Sequence, residues 1–443
     1  MEERKGPLVP VPRTWRNFLS DFFRNGLELP VPGRESGNAV EPFPEQALAK
    51  MTSTEAARIE TLSGPYRTER EIEIPREVYD EYLKYRPTPL YRASGLEKAV
   101  AARLGKASLE YAAIYVKDES CTPSGSHKLN TSLAQALYAK WDGRKKVVTD
   151  TGAGQWGIAV AIAARRMGLR STIFMTAQSY RDKKGRVAMM EEYGAEVVSS
   201  PSEKTGVGRA ELRKDKDHPG SLGIGMSEAV STVDGETALL LGCMSYYAAL
   251  HQSIIGQEVV AQLAALKVEP DVLVACIGGG SNFCGLVAPY IDDKLAGRKG
   301  PVFVAAESAN IPVLTQGRYE WDYQDHGELM PLLLMNSLGH ENVPPKLHAG
   351  GLRYHGKNPV LSMLHQLGHV KAVAFAQKEV LEAGLEFQKS EGFLPAPESA
   401  HAILAAMEEA AAAEHQKMRR NVVFLLTGDG RFDSVAYEAA GQL

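Results

Sequence analysis

The stretch KVVTDTGAGQWGIAVAIAARRM, residues 146–167, carries the pattern that decides the fold. It predicts a strand over 146–150, a glycine-rich turn, and a helix over 157–167. The same order recurs along the chain. Further strands are predicted at 112–117, 171–175, 196–199, 272–277, 302–307 and 422–426, and further helices at 129–139, 185–193, from about 283, and at 400–414. Such repetition indicates an α/β fold of parallel sheets with helices on both faces.

The strand–helix units fall into two blocks that divide near residue 250. We therefore expect two doubly wound parallel-sheet domains, over residues 71–250 and 251–443. Residues 1–70 are rich in proline, which excludes a sheet core, and we expect them to form an N-terminal arm. Four aromatic residues suggest that this arm is ordered: Trp15, Phe18, Phe22 and Phe23. One helix is predicted from Pro44 to Ile59, and the alanine-rich run 405–413 is expected to lie in a surface helix.

Composition excludes several classes of protein. The chain has 443 residues, 44% hydrophobic and 23% charged, with 50 Lys+Arg against 54 Asp+Glu. We find no basic stripe for nucleic acid and no apolar run long enough to span a membrane. The start, MEERKGPLVP, has no apolar signal core. The four cysteines form no CxxC pair and are expected to be buried, reduced thiols. These features favour a cytoplasmic protein.

Lys128 follows the sequence PSGSH at the predicted start of a helix, with Ser126 as the expected N-cap. The positive end of the helix dipole disfavours a charged amine there, which lowers its pKa and suits a Schiff-base lysine. In isolation, a solvated surface lysine is the simpler interpretation. The motifs that follow favour the chemical one.

Two glycine-rich turns each lie between a strand and a helix. TGAGQ, residues 151–155, can direct backbone amides and the Thr151 hydroxyl at a carboxylate, although a plain tight turn has the same composition. GGGSN, residues 278–282, can bind a phosphate. It lacks a Walker lysine and the GxGxxG spacing, which favours a small phosphate group such as that of pyridoxal phosphate (PLP) over a nucleotide.

Thr427 ends the last predicted strand, just before Gly428. A hydroxyl at this position can bond the pyridine nitrogen of PLP while leaving that nitrogen unprotonated, and this moderates the electron sink. Such tuning suits β-elimination and β-replacement. An ordinary threonine at the end of a strand is the alternative.

Taken together, these motifs resemble those of tryptophan synthase β-subunits, PLP enzymes of fold-type II, and in particular the longer second class often found without an α-subunit. The resemblance covers nearly the whole chain. The matching motifs are RPTPLY (86–91), GSHKLN (125–130), TGAGQWG (151–157), GSLGI (220–224), HQ (251–252), GGGSN (278–282), HAGGLRYHG (348–356) and PAPESAHA (395–402).

The resemblance implies roles for particular residues. Lys128 binds the cofactor covalently and later removes the Cα proton. The phosphate is held by His127 and by Gly278, Gly279, Gly280, Ser281 and Asn282, with Asn130 also at the cofactor. The substrate carboxylate is bound by Thr151, Gly152, Ala153, Gly154 and Gln155. Glu398 lies near the cofactor ring, and Thr427 lies beside its nitrogen where the family commonly has serine.

The resemblance also implies a lyase reaction. L-serine loses its β-hydroxyl to give an aminoacrylate, to which indole adds to form L-tryptophan. A subdomain over about 143–230 closes on the substrate. The enzyme is expected to be a homodimer, to need no tight α-subunit, and to use a Na⁺ or K⁺ ion as well as PLP. We expect no other metal.

Two positions depart from the family. Asp150 stands where the family has the catalytic glutamate, and its shorter side chain reaches roughly an ångström less far, an error that can cost about a hundredfold in rate. Asp429-Gly430-Arg431 stands where the long class usually has histidines around the glycine. Both changes are compatible with an unchanged reaction. They also leave open a different nucleophile, or water, giving another β-substituted alanine or a serine/threonine deaminase. A binding subunit without activity is a third hypothesis, against which the intact Lys128 argues.

Overall fold

The N-terminal arm is an ordered part of the fold. The structure is a computed structural model that describes residues 6–345 and 347–441, so the first five residues of the predicted arm lie outside it. The elements of the arm are β1 (Thr14–Arg16), α1 (Leu19–Arg24), β2 (Gly33–Ser36), β3 (Ala39–Pro42), α2 (Glu45–Met51), α3 (Thr54–Glu60) and α4 (Pro65–Thr68), and they are followed by β4 (Glu71–Glu73) and α5 (Arg76–Tyr82). Trp15, Phe18 and Phe22 are fully buried, as their apolar character predicts.

The helix predicted from Pro44 to Ile59 is wrong in one respect: the structure has two helices there. Thr52 leaves the helical region, at φ −108° and ψ −101°, and ends α2. Ser53 then caps α3 by accepting a hydrogen bond from the Ala56 amide. A serine cap of this kind starts a new helix and changes the direction of the chain.

The central part of the chain alternates strands and helices. Its elements are β5 (Leu90–Arg92), α6 (Ser94–Arg103), β6 (Ala112–Asp118), α7 (Leu129–Trp141), β7 (Lys146–Thr151), α8 (Gln155–Met167), β8 (Arg170–Thr176), α9 (Ala177–Asp182), α10 (Lys184–Glu192), β9 (Ala195–Ser200), α11 (Gly206–Lys214), α12 (Leu222–Val230) and β10 (Thr237–Leu239). The order of strands and helices predicted for this part is confirmed.

The C-terminal part continues this alternation. Its elements are α13 (Tyr246–Leu266), β11 (Val272–Cys276), α14 (Ser281–Val287), α15 (Ile291–Leu295), β12 (Val302–Ser308), α16 (Val313–Gln316), β13 (Arg318–Tyr323), β14 (Leu332–Ser337), α17 (Pro359–Gln366), β15 (Val370–Phe375), α18 (Gln377–Glu391), α19 (Pro397–Gln416), β16 (Arg420–Leu426) and α20 (Ser434–Gly441), with 3₁₀ turns at Ala288–Tyr290 and Gly350–Leu352.

Two parallel sheets form the framework, so the predicted fold class is confirmed. The smaller sheet has the strand order β10-β7-β8-β9, and all of its strands are parallel. The larger has the order β15-β12-β11-β16-β6-β5, in which only the edge strand β5 is antiparallel. The arm strands β2 and β3 extend the β13–β14 hairpin into a third, antiparallel sheet.

The larger sheet takes strands from both sides of the boundary expected near residue 250. β5 and β6 precede that boundary, yet β6 pairs with β16 from Ala112↔Arg420 to Asp118↔Leu426. The larger sheet therefore combines strands from residues 90–118 with strands from the C-terminal half. The apolar pattern of a strand predicts that it is buried but does not specify which sheet it joins.

The alanine-rich helix is also placed differently from the prediction. α19 packs against β11, β12, β16 and α18, and Ala405, Ala406, Ala410 and Ala413 are buried. Small side chains let a helix lie close to a sheet, so alanine content here reflects burial and not surface exposure. Among the described residues, every helix is too short or too polar to cross a bilayer.

Candidate active site

A cavity lies where loops from both halves of the chain meet. Lys128 reaches it from the start of α7, Asp150 from the end of β7, and Gly242 from the loop after β10. Ligands of parallel α/β folds bind at such strand ends. The complete lining is Lys128, Asp150, Thr151, Gly152, Ala153, Gln155, Trp156, Leu222, Met226, Leu241, Gly242, Cys243, Met244, Gly351 and Tyr354.

Lys128 lies at the N-cap of α7, one position before the helix begins. The prediction that Ser126 caps this helix is wrong, because Ser126 forms a β-bridge with Gly428 and its backbone is engaged there. The Lys128 Nζ donates to the Gly242 carbonyl oxygen at 2.8 Å. Burial lowers the pKa of Lys128, and the nearby Cys243 and Asp150 oppose that shift. A buried amine of this kind is readily deprotonated.

The TGAGQ turn joins β7 to α8 and lies along the cavity. Four of its residues, Thr151, Gly152, Ala153 and Gln155, line the cavity. The fifth, Gly154, is the N-cap of α8 and has φ +99°, which a residue with a side chain rarely adopts. The Thr151 Oγ1 accepts a hydrogen bond from the Gly157 amide at 3.1 Å. The helix N-terminus thus faces the cavity, where an anion is favoured.

Asp150 also lies on the cavity wall. Burial raises the pKa of its carboxyl to about 7, while the Lys128 ammonium acts in the opposite direction. The group therefore holds a proton for part of the time at neutral pH and can exchange it with a bound molecule. Groups with such a pKa are efficient general acids and bases.

The GGGSN turn joins β11 to α14. Gly280 has φ +101° and precedes the helix, and a Cβ at Gly279 would lie 2.5 Å from the Cys243 Sγ. The Ser281 Oγ donates to the Gly242 carbonyl at 3.3 Å, the same oxygen that the Lys128 amine contacts. The Asn282 side chain donates to the Cys276 carbonyl at 2.8 Å, which closes the turn. The turn is therefore within reach of Lys128.

His127 and Asn130 lie behind Lys128, outside the cavity lining. The His127 amide donates to the Thr427 carbonyl at 3.0 Å, and burial lowers the pKa of its imidazole to about 3. The Asn130 side chain donates to Glu119 and Gln252 and accepts from Arg86 and Tyr85. All four of its hydrogen-bonding positions are used inside the protein. Asn130 therefore supports the start of α7, and the structure does not bring it to the cavity.

Thr427 and Glu398 meet near the same end of the larger sheet. The Thr427 hydroxyl lies 2.9 Å from the Ser399 hydroxyl and 3.4 Å from the Cys276 Sγ. The Glu398 Oε1 accepts from the Gly351 amide at 2.8 Å. Glu398 is near enough to raise the pKa of Lys128. Both side chains therefore belong to the surroundings of the lysine.

Asp429 and Arg431 form an ion pair at 2.7 Å. They lie beside Gly125, Gln155 and Arg186, in a small cavity on the far side of Gln155. This pair therefore neighbours the TGAGQ turn.

Four buried polar atoms around the lysine have no hydrogen-bond partner among the described residues: Ser126 Oγ, His127 Nδ1, Gln155 Nε2 and Glu398 Oε2. Nearly all buried polar atoms in folded proteins are hydrogen bonded. Donors and acceptors of this kind can bind a polar ligand. Their chemistry fits a ring with polar substituents such as PLP.

Sequence reasoning missed the apolar wall. Leu222, Met226, Leu241 and Met244 form much of it, and they resemble core residues in sequence. Gly351 and Tyr354 lie within a quoted motif, HAGGLRYHG, which could have pointed to them. The described cysteines are free, but Cys121 is exposed and Cys243 lines the cavity, so the expectation that all four are buried was wrong for these two.

Comparison with known proteins shows which family the chain belongs to. Residues 82–428 match the model of the family described as pyridoxal-phosphate dependent enzyme. The chain is 44% identical to tryptophan synthase beta chain 2 of Thermotoga maritima over 96% of this chain and 97% of that protein. It is 49% identical to tryptophan synthase beta chain of Pyrobaculum islandicum over 96% of each chain.

Solved structures support the fold. A fungal L-serine ammonia-lyase from Rhizomucor miehei matches with a TM-score of 0.59 and 16% identity, over 80% of this chain and 97% of that one. The processed form of threonine deaminase isoform 2 from Solanum lycopersicum matches with a TM-score of 0.56 and 16% identity, over 83% of this chain and 94% of that one. At these identities the likeness concerns the fold alone.

Proposed function

Because this chain belongs to the family of pyridoxal-phosphate dependent enzymes and, within it, to the tryptophan synthase beta chains, we infer that it converts L-serine and indole to L-tryptophan. The enzyme is a PLP-dependent lyase that replaces the β-substituent of serine. One observation carries this conclusion: the Lys128 amine, Asp150 and the TGAGQ turn line one cavity. The family and the cavity together supply a cofactor site, an acid–base group and a site for a carboxylate.

PLP fits the residues around Lys128. We propose that Lys128 holds the cofactor covalently, that residues 278–282 and His127 bind its phosphate, and that Thr427 and Glu398 contact its ring. The unpaired His127 Nδ1 and Glu398 Oε2 support this assignment. Asn130 would act from behind, through Gln252, which donates to the His127 carbonyl at 3.1 Å. When bound, PLP supplies an electron sink that lets bonds at Cα and Cβ of the substrate break.

Lys128 would also move protons. Its amine is buried and its pKa is lowered, so the neutral form that accepts a proton is accessible. We propose that the Nζ takes the proton from the substrate Cα. The Gly242 carbonyl, 2.8 Å away, holds the amine on the cavity side. Holding a base in a fixed position next to its substrate contributes a large part of the rate acceleration.

The substrate carboxylate would bind at residues 151–155. Backbone amides at the start of α8 and the positive end of the helix dipole favour an anion there. The unpaired Gln155 Nε2 and the hydroxyl of Thr151 add possible donors. Binding of the carboxylate at this turn would direct the serine side chain toward the rest of the cavity.

The second substrate would lie against the apolar wall. Leu222, Met226 and Leu241 provide a surface suited to a flat apolar molecule such as indole. Asp150 also lines this cavity, and with a pKa of about 7 it can accept a hydrogen bond from an N–H and take up a proton. The apolar wall favours indole over a small polar nucleophile or water. Asp150 by itself would be compatible with any of these nucleophiles.

We further propose that residues from about 143 to 230, which contain three strands of the smaller sheet, close over the substrate as a unit. We propose that the enzyme is a cytoplasmic homodimer without a tightly bound α-subunit, as in the long class that it resembles. The free cysteines are compatible with a reducing compartment. Light scattering of the purified protein, with and without an α-subunit, would test the assembly.

A spectral titration tests the reaction. Purified enzyme with PLP should absorb in the visible region, L-serine should shift that absorption, and indole should reverse the shift while L-tryptophan accumulates. Lys128→Ala should lose the starting band. If serine shifts the band but indole yields no tryptophan, the nucleophile is another molecule. A panel of nucleophiles with wild type and Asp150→Glu would then identify it.

A further inference from the structure

Lys357 is a buried cation directly behind the GGGSN turn. The residue is fully buried. Its Nζ donates to the Gly278 carbonyl oxygen at 2.8 Å and lies 3.5 Å from the Ile277 carbonyl oxygen. The nearest carboxylate oxygen, Glu307 Oε2, is 3.7 Å away. The ammonium is thus bonded mainly to backbone oxygens of the turn.

Two backbone hydrogen bonds hold the Lys357 segment against the turn. The Lys357 amide donates to the Asn336 carbonyl at 3.0 Å, and the Asn358 amide donates to the Gly279 carbonyl at 2.7 Å. The Glu307 carboxylate is held in turn by the amides of Leu314 and Thr315. Burial lowers the pKa of Lys357, and the facing Glu307 opposes that shift. A buried ammonium persists when it is paired and hydrogen bonded, as here.

The contact orients the turn. In a trans peptide the C=O and N–H point in opposite directions. Because Lys357 holds the Gly278 carbonyl, the Gly279 amide of the same peptide points away from Lys357. The Gly279 amide accordingly faces Cys243, a residue of the cavity wall. The lysine therefore stabilises the orientation in which the Gly279 amide faces the cavity wall.

Backbone carbonyl oxygens are also the ligands that alkali cations use in proteins. The family resemblance implies a Na⁺ or K⁺ ion. Two carbonyl oxygens of the cofactor site are instead occupied by an ammonium from the chain itself. An added cation beside it would meet like charge in a buried setting, so a free ion does not fit at these oxygens.

We propose that Lys357 is a built-in monovalent cation of the cofactor site, which positions the phosphate-binding turn and makes the enzyme independent of a soluble alkali ion. The proposal rests on the proposed role of residues 278–282. It predicts that the ion expected from the family is dispensable at this position in this chain.

The test is the rate of cofactor release from the holoenzyme, followed by its visible absorption at equal ionic strength in KCl, NaCl or tetramethylammonium chloride. Wild type should release PLP at the same rate in all three salts. Lys357→Ala should release it about tenfold faster in tetramethylammonium chloride, because a charge-assisted contact is lost, and K⁺ should restore slow release. Lys357→Met fills the space without a charge, so K⁺ should not restore it.

The surface variant Lys98→Ala is the matched control and should behave as wild type. Much faster release from wild type in tetramethylammonium chloride than in KCl would overturn the proposal, and this result needs no variant to fold. Equal release from Lys357→Ala and wild type in every salt would also overturn it. A protein that never acquires visible absorption would instead contradict the proposed cofactor site.

Discussion

Arg186 and Asp433 form a buried ion pair that connects the C-terminal segment to the TGAGQ turn. The Arg186 Nη2 lies 2.7 Å from the Asp433 Oδ2, and its Nη1 donates to the Ala153 carbonyl at 2.8 Å. Lys183 contacts the other carboxylate oxygen at 2.7 Å. Asp433 follows the last strand of the larger sheet, whereas Arg186 lies in α10 beside the smaller sheet. The pair therefore fixes, across the two sheets, the turn that we propose binds the carboxylate.

Asp433→Asn should weaken substrate binding more than it slows turnover. Loss of a charged hydrogen bond of this type corresponds to about tenfold, and we expect that factor in the KM for L-serine, with a smaller change in kcat. The reason is that Ala153 would lose its fixed orientation while Lys128 is untouched. Steady-state kinetics at saturating indole measure the two constants separately.

Asp182→Asn, at an exposed position on the neighbouring helix α9, is the control and should leave both constants unchanged. A KM for serine in Asp433→Asn that equals that of the control would show that the ion pair does not position the turn.

Asp150→Asn should change the pH dependence of tryptophan formation. The pKa of Asp150 is raised to about 7 by burial, so the carboxylate that can accept a proton appears as the pH rises through 7. The wild-type rate should therefore increase over that range. The asparagine variant should lack this increase and be slower by about a hundredfold or more, the usual effect of removing an acid–base group.

Asp150→Glu restores a carboxylate and serves as the matched variant: it should form tryptophan and retain a pH-dependent increase. Cofactor absorption should be the same in all three proteins. If the asparagine variant kept the wild-type increase near pH 7, another group would be the proton acceptor.

The sequence predicted the elements of the fold better than their arrangement. The run 146–167 forms β7, the turn and α8 as expected, since local glycine and apolar patterns govern such units. The pairing of Ala112–Asp118 with Arg420–Leu426 was not predicted, because contacts between distant segments leave no local pattern. The burial of α19 was missed for the same reason, since alanine suits both a surface and a close-packed helix.

The site shows a similar division. Lys128 and the TGAGQ turn were predicted because glycine-rich turns between strands and helices have a recognisable sequence. Lys357 carries no such signal: it resembles any lysine in a loop until the fold places it behind Gly278. Arg186 is likewise an ordinary residue of a polar helix until Asp433 meets it. Residues that act by contact across the fold cannot be recognised from one sequence.

Trp15→Ala should destabilise the whole protein, because the arm is part of the core. The Trp15 ring is fully buried and lies 4.4 Å, centroid to centroid, from His251 of α13. Removing a buried tryptophan usually costs about 3–5 kcal/mol of unfolding free energy. Urea denaturation followed by circular dichroism measures the difference.

Trp141→Ala is the control, because Trp141 is 53% exposed and its loss should cost far less. Equal losses in the two variants would mean that the arm does not contribute to the core.

Glu60→Gln should stabilise the protein at neutral and alkaline pH but not in acid. Burial raises the pKa of Glu60 from 4.5 to about 8, while hydrogen bonds from the Tyr246 and Tyr247 amides oppose that shift. The folded protein thus holds a proton that the unfolded chain releases above pH 4.5, so this contribution to stability is complete below 4.5 and is lost as the pH rises through 8. Glutamine keeps the hydrogen-bond acceptor and cannot ionise.

The unfolding temperature of Glu60→Gln should match that of wild type in acid and exceed it most above pH 8, by an amount corresponding to a few kcal/mol. Thermal unfolding across this pH range tests the prediction, with the exposed Glu77→Gln as control, and parallel curves for Glu60→Gln and wild type would contradict it.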